Sequence, residues 1–203
     1  MNARIILSIN LLVLALILLI VPMNKALSGQ LSPQELLNFS SANNTAASVD
    51  KAAQYIGNQA SDIQFIDVRN KSEFVSSNLP GALNIPYAEL TKKEWQGYLQ
   101  QEGKTIILYS NDNTKSRLAQ ALLISQGYPN IQTLEGGLNE WFSKIMEGET
   151  KRGKLTAREN AMYGNRLKAR KLFVEINSIP DSLKQTFLEA KLLEEEQLDG
   201  GCE

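Results

Sequence analysis

Three short, mostly apolar runs, Ile63–Val68, Thr105–Tyr109 and Asn130–Leu134, alternate with stretches of helical spacing along the middle of this chain. Runs of that length, bounded by turn residues, suit strands that are buried on both faces. Before the first run, Val49, Ala52, Ala53 and Ile56 repeat at helical spacing, with Gly57 where a C-cap would sit. Between the first two, Glu73-Phe74 suggests one helical turn, and Leu79–Pro86 reads as a very short strand between two turns. Glu89–Gln101 reads as a helix with Leu90, Trp95, Tyr98 and Leu99 inward, Ser116–Gln126 as another closed by Gly127, and Gly137–Met146 as the last. Strands alternating with helices in this way imply an α/β domain around a parallel sheet.

The residue inventory removes several chemistries. The 203 residues contain no histidine, so Ser-His and Cys-His catalysis within the chain are excluded, as is a histidine metal site. Cys202 is the only cysteine, which rules out an internal disulfide and a cysteine-based zinc site in one chain. No metal and no cofactor are expected. A net charge of -1 gives no electrostatic reason to expect a nucleic-acid partner.

The ends carry separate signals. Ile5–Val21 is apolar except for Ser8 and Asn10, with Arg4 before it and Pro22 after. As a helix it would span roughly 26 Å, just sufficient for a bilayer core. A cleaved signal peptide is the rival, but its apolar core is normally shorter, and no clear A-x-A site follows. The expectation is residues 1–23 as a single-pass anchor, with the N-terminus cytoplasmic and the soluble part outside the cytoplasm, in a bacterial periplasm. Residues 24–47 then form a polar linker. Within it Ser32-Pro33-Gln34-Glu35 starts a short helix carrying Leu36, Leu37 and Phe39.

After Gly148 the charge pattern changes. Lys151, Arg152, Lys154, Arg158, Arg166, Lys168, Arg170 and Lys171 crowd one stretch. Thr156-x-x-Glu159 is a capping box opening a long helix, in which Met162, Tyr163, Leu167 and Phe173 supply apolar spacing, and Ile179-Pro180 breaks it. Ser182-x-x-Gln185 begins a second helix with Leu183, Phe187, Leu188 and Leu192, which ends in Glu194–Glu196 before Gly200-Gly201. Residues 148–203 are therefore expected to be a charged helical extension with a Gly-Gly-Cys tail. It is either a hairpin with solvated faces or, through 151–198, a surface for a protein partner or anionic lipid.

Three signatures in order resemble the rhodanese-like domain of single-domain sulfurtransferases. They are Phe65-Ile66-Asp67-Val68-Arg69 with Glu73-Phe74 and Leu79–Pro86, then the strand, loop and helix around Ser110, then Leu134–Leu138 with Glu140-Trp141. The resemblance covers residues 48–147. It implies a doubly wound parallel sheet of about five strands, with the active loop at a strand's C-terminal end.

The resemblance also implies where the chemistry should be. In active members a cysteine at the position of Ser110 carries sulfur as a persulfide, and a cationic loop lowers its pKa. The loop here, Ser110-Asn111-Asp112-Asn113-Thr114-Lys115, keeps the sulfurtransferase length rather than the longer one of related phosphatases. Asn113 stands where active members favour Gly and Lys115 where they favour Arg, while Ser116 is kept. A serine hydroxyl stays protonated near neutral pH and no histidine is present to activate it, so persulfide transfer through this loop is not expected. Three readings of Ser110 remain: loop filler, part of a binding site, or an unrecognised catalyst. Lys115 and Ser116 are the anion-binding candidates, although Asp112 puts a negative charge near them. Asp67 and Arg69 read as a partly buried ion pair with Glu73 nearby, Gly136-Gly137 as a tight turn, and Trp141 as core beneath it. The chain thus reads as a membrane-anchored, degenerate binding or scaffolding module in the cell envelope, a pseudoenzyme. The alternative is a sulfurtransferase or relay using Cys202.

Overall fold

The computed structural model describes residues 46–128, 130–148, 154–183 and 186. The chain divides into two compact units, Met1–Leu31 and Ser32–Glu203, and every described residue belongs to the second. The expected anchor, the linker helix, Cys202 and most of the second C-terminal helix lie outside the described residues. Among those that are described, no helix is long and apolar enough to cross a membrane.

Five strands form one sheet: β1 (Ala46–Ala47), β2 (Ile63–Asp67), β3 (Leu83–Asn84), β4 (Thr105–Tyr109) and β5 (Ile131–Leu134). Their order is β1-β5-β4-β2-β3 and every pairing is parallel. A single cross-strand row runs Ala46, Thr133, Leu108, Ile66 and Leu83, which aligns the strand ends on one rim. The helices are α1 (Val49–Gly57), α2 (Lys71–Ser76), α3 (Gln96–Leu99), α4 (Asn113–Ser125), α5 (Gly137–Trp141) and α6 (Ala157–Asn177).

Side-chain alternation along the strands makes two cores. Phe65, Ile107, Tyr109 and Leu134 face α1, α5 and α6, where Ala52, Ala53, Trp141, Ala169 and Phe173 meet them. Ile66, Ile106, Leu108 and Ile131 face the other way, against Leu90, Leu99, Ala119 and Leu123. Continuous apolar strands are needed because both faces are covered.

Several boundaries differ from the sequence reading. β1 falls at the end of what read as linker. Its two alanines are held by backbone pairing, including Glu135 N–H donating to Ala47 C=O at 2.9 Å. The continuous helix expected over 89–101 is instead a 3₁₀ turn at Tyr87–Glu89, a second at Lys93–Trp95, and α3. Lys92, in extended backbone, interrupts it. The expected inner face survives, with Leu90 and Leu99 buried and Trp95 and Tyr98 packed against them. Asn58, not Gly57, caps α1; Gly57 instead lets α6 approach, since a Cβ there would lie 3.3 Å from Lys168 Cβ. The last helix of the core ends as a π-turn, Phe142–Met146.

The first arm of the extension packs on the domain. α6 opens on the expected Thr156–Glu159 capping box and then packs on α1 and the π-turn. Ala169 and Phe173 are buried in the core, whereas Met162 and Leu167 are exposed. Two of the basic residues turn inward: Arg166 pairs with Asp50 through both carboxylate oxygens, and Arg170 donates to the carbonyls of Ile145 and Gly148. Asn177 and Asn78 exchange side-chain and backbone hydrogen bonds at 2.9 and 3.0 Å.

Candidate functional site

The site forms at the C-terminal ends of β2 and β4, where open α/β sheets place ligands. Helix α4 starts three residues earlier than expected because Asp112 is its N-cap, accepting from the Thr114 N–H at 2.8 Å. Only Ser110, Asn111 and Asp112 are therefore loop. Asn113, Thr114 and Lys115 belong to the first helical turn.

Each loop residue is tied down. Ser110 is 2% exposed, and its Oγ donates to the Asp112 carbonyl. Its own carbonyl accepts from Leu138 N–H, and that of Asn111 accepts from Asn139 N–H, both at 2.9 Å. The Asn111 side chain bridges two partners, accepting from Arg69 Nη1 at 3.0 Å and donating to Glu73 Oε1 at 2.8 Å. Asn113 Oδ1 accepts from Gly136 N–H at 2.8 Å.

The Gly-Gly turn makes this stitching possible. Gly136 and Gly137 have φ of 69° and 59°, in the left-handed region that glycine enters without steric cost. A Cβ on Gly137 would lie 2.5 Å from the Ser110 carbonyl oxygen. The turn thus presses the start of α5 against the loop backbone.

Asp67 and Arg69, expected to be partly buried, are 0% and 4% exposed. Asp67 Oδ1 accepts from the Arg69 backbone N–H and Nε, and Oδ2 accepts from Nη2 at 2.6 Å. Burial pushes the Asp67 carboxyl up, and the hydrogen bonds and charge of Arg69 oppose that push. On Arg69 the lowering effect of burial is outweighed by Asp67, so the guanidinium stays charged. Such a pair fixes geometry more surely than it adds stability. Glu73 closes a capping box with Asn70 on α2, and the hydrogen bond from Asn111 lowers its pKa. Tyr109, unmarked in the sequence reading, is fully buried and accepts from the Leu79 N–H at 3.1 Å; burial raises its pKa well above normal.

Chemically, the loop is closed on itself. The carboxylate that an incoming anion would displace from the start of α4 is the chain's own Asp112. Ser116 is buried, with its hydroxyl turned to the Asp112 and Asn113 carbonyls of its own helix turn, and Lys115 is exposed. The Ser110 hydroxyl donates to a carbonyl, which cannot remove its proton. Among the described residues no group of His, Cys, Asp and Glu could hold a metal ion. Trp141 is buried, with its ring centroid 6.1 Å from that of Phe173, so it ties α5 to α6. The bridging role of Asn111 and the bond from Gly136 to Asn113 were not foreseen; the only signal was the presence of two amide side chains, Asn111 and Asn113, near the strand end.

Comparison with known proteins gives the same family. The chain is 34% identical over 93 residues to the adenylyltransferase and sulfurtransferase UBA4 of Meyerozyma guilliermondii, covering 42% of this chain and 21% of that protein. It is 33% identical over 82 residues to the uncharacterized protein YqhL of Bacillus subtilis, covering 40% of this chain and 63% of that one. A third match, slr1261 of Synechocystis, is 35% identical over 83 residues, covering 41% and 45%. The chain therefore spans less than two thirds of each of these relatives. The Rhodanese-like domain family profile matches residues 48–144, the span that contains all five helices before α6 and four of the five strands, and this part of the chain is a rhodanese-like domain.

Proposed function

We propose that this protein is a catalytically degenerate rhodanese-like module that binds or scaffolds rather than transfers sulfur. The observation that carries the reading is the state of Ser110: buried, hydroxyl bound to the Asp112 carbonyl, and held in a loop whose side chains are all engaged. A site built for persulfide transfer needs an activated thiol, with loop N–H groups and positive charge aimed at it. Here the strand end carries a hydroxyl, and a carboxylate holds the helix N-terminus. The apolar run at 5–21 supports the further proposal of an anchor that places the module in the cell envelope. What residues 151–198 bring is a surface for a protein partner, with α6 as its rigid part.

The test is a thiosulfate:cyanide sulfurtransferase assay on the whole chain in detergent. No turnover above the uncatalysed rate is expected. Turnover that survives Cys202→Ala would refute the reading, since no other thiol exists. Turnover that is abolished by Cys202→Ala would instead assign sulfur handling to the tail. Deleting residues 5–21 should move the chain from the membrane fraction to the soluble fraction; unchanged fractionation would remove the anchor.

A further inference from the structure

Helix α6 presents an outward face that neither core uses. Leu167, Lys171 and Val174 follow one another at i, i+4 and i+7, so they share one side of the helix. Ala169 and Phe173, on the other side, are buried in the core and fix which way this face points. Leu167 is 43% exposed and Val174 52%, and Lys168 and Lys171 beside them are exposed as well.

The cations of α6 divide by type. Arg166 and Arg170 turn inward, to Asp50 and to the carbonyls of Ile145 and Gly148. Lys168 and Lys171 stay outside, and among the described residues neither has an ion-pair partner. Arg158 is exposed nearer the start of the helix. Against these stand two carboxylates on α6, Glu159, which is held in its capping box, and Glu175 beside Val174. The outward face is therefore apolar and net positive.

That combination selects among occupants. The buried centre of a protein interface is enriched in arginine and aromatic residues and depleted of lysine. Here a lysine stands between the two aliphatic side chains, at the middle of the face. A second copy would set these cations against each other. A lipid surface accepts them, because a lysine stem lies along apolar surface while its ammonium reaches the headgroups, and flanking aliphatic side chains enter the boundary layer.

We infer that the outward face of α6 rests on an anionic lipid surface, with Leu167 and Val174 toward the acyl layer and Lys168 and Lys171 against the headgroup phosphates. The contact belongs to α6 itself and does not need the anchor proposed above. A protein partner of residues 151–198 is then left the remainder of that stretch.

The test uses the full chain with Cys202→Ser and Val174→Cys, an environment-sensitive fluorophore on that thiol, and phosphatidylcholine vesicles with or without about one-third phosphatidylglycerol. Emission should shift to the blue with the anionic vesicles only, and high salt should reverse the shift. Adding Lys168→Gln and Lys171→Gln should lower the docked-to-free ratio roughly 25-fold, about fivefold for each lysine near an anionic surface. The same label at Leu118→Cys, 54% exposed on α4 against the other core, should not shift. No shift at position 174, an equal shift with pure phosphatidylcholine, or an equal shift at position 118 would each overturn the proposal. An unshifted label on a chain that stays with the vesicles would do so while leaving the anchor in place. A low-salt shift on a chain that high salt washes from the vesicles would remove the anchor and support the contact.

Discussion

Replacing Phe173 by Ala tests whether α6 is part of the domain or an appendage to it. Phe173 is 4% exposed and sits between two rings, Trp141 at 6.1 Å and Phe142 at 5.4 Å in an edge-on contact of 87°. Removing a buried phenyl ring costs its transfer free energy plus the cavity left behind, about 3–5 kcal/mol in well-packed cores. The two aromatic contacts place this site in the upper half of that range. A domain of this size is stable by about 5–15 kcal/mol, so the substitution removes about a quarter or more of the total. In thermal unfolding followed by circular dichroism, that corresponds to a fall in Tm of roughly 10–20 °C. Leu167→Ala, on the exposed side of the same helix at 43% exposure, is the control and should shift Tm by no more than about 2 °C. If Phe173→Ala moved Tm no further than Leu167→Ala, α6 would contribute nothing to the fold, and the reading of Arg166, Arg170 and Asn177 as anchors would fall with it.

Gly137→Ala combines a left-handed φ of 59° with a Cβ 2.5 Å from the Ser110 carbonyl, so it should destabilise by about 2 kcal/mol or more and loosen the loop. Hydrogen exchange at Leu138 and Asn139 would report it, and unchanged protection would refute the stitching. The pH dependence follows from Glu73, whose pKa is held below the ordinary 4.5 first by the Asn111 hydrogen bond. A depressed carboxylate pKa contributes stability that is fully present above 4.5 and lost as pH falls through the folded value. Glu73→Gln should therefore flatten the acid limb of the stability curve below 4.5, and an unchanged limb would exclude Glu73 as its source.

How much of this could be read beforehand depends on the range of each interaction. β4 was readable residue for residue, because an uninterrupted buried strand writes its whole length in apolar side chains. So was the Thr156–Glu159 box, which is local. β1 was not, since two alanines carry no period and their place is set by pairing with Thr133 and Leu134. The docking of α6 was equally hidden. It rests on Asp50 with Arg166, 116 residues apart, and Asn78 with Asn177, 99 apart, and inward-turned arginines look like solvated charge in a sequence. At the site the residue types excluded histidine-assisted catalysis at once, but the lock depends on Asn111 meeting Arg69 and Glu73 across two strand ends. No spacing rule predicts that.

Under the proposed reading, more than Ser110 alone keeps the loop from sulfur transfer, and this can be tested. Ser110→Cys restores a sulfur atom but not its activation, because Asp112 still accepts the Thr114 N–H and keeps a carboxylate at the N-terminus of α4. A thiol so placed gains little from the helix dipole, and its pKa should stay near the ordinary value of about 8.5. Adding Asp112→Gly costs the cap only a few tenths of a kcal/mol and removes the charge. The thiol pKa should then fall by roughly half to one unit, the worth of a helix terminus freed of an opposing charge. Both variants are best made with Cys202→Ser, so that the absorbance of the thiolate near the ultraviolet limit reports one group as pH is scanned. If Ser110→Cys alone titrated as low as the double variant, Asp112 would not be suppressing the site. The proposed degeneracy would then rest on the Ser110 hydroxyl alone.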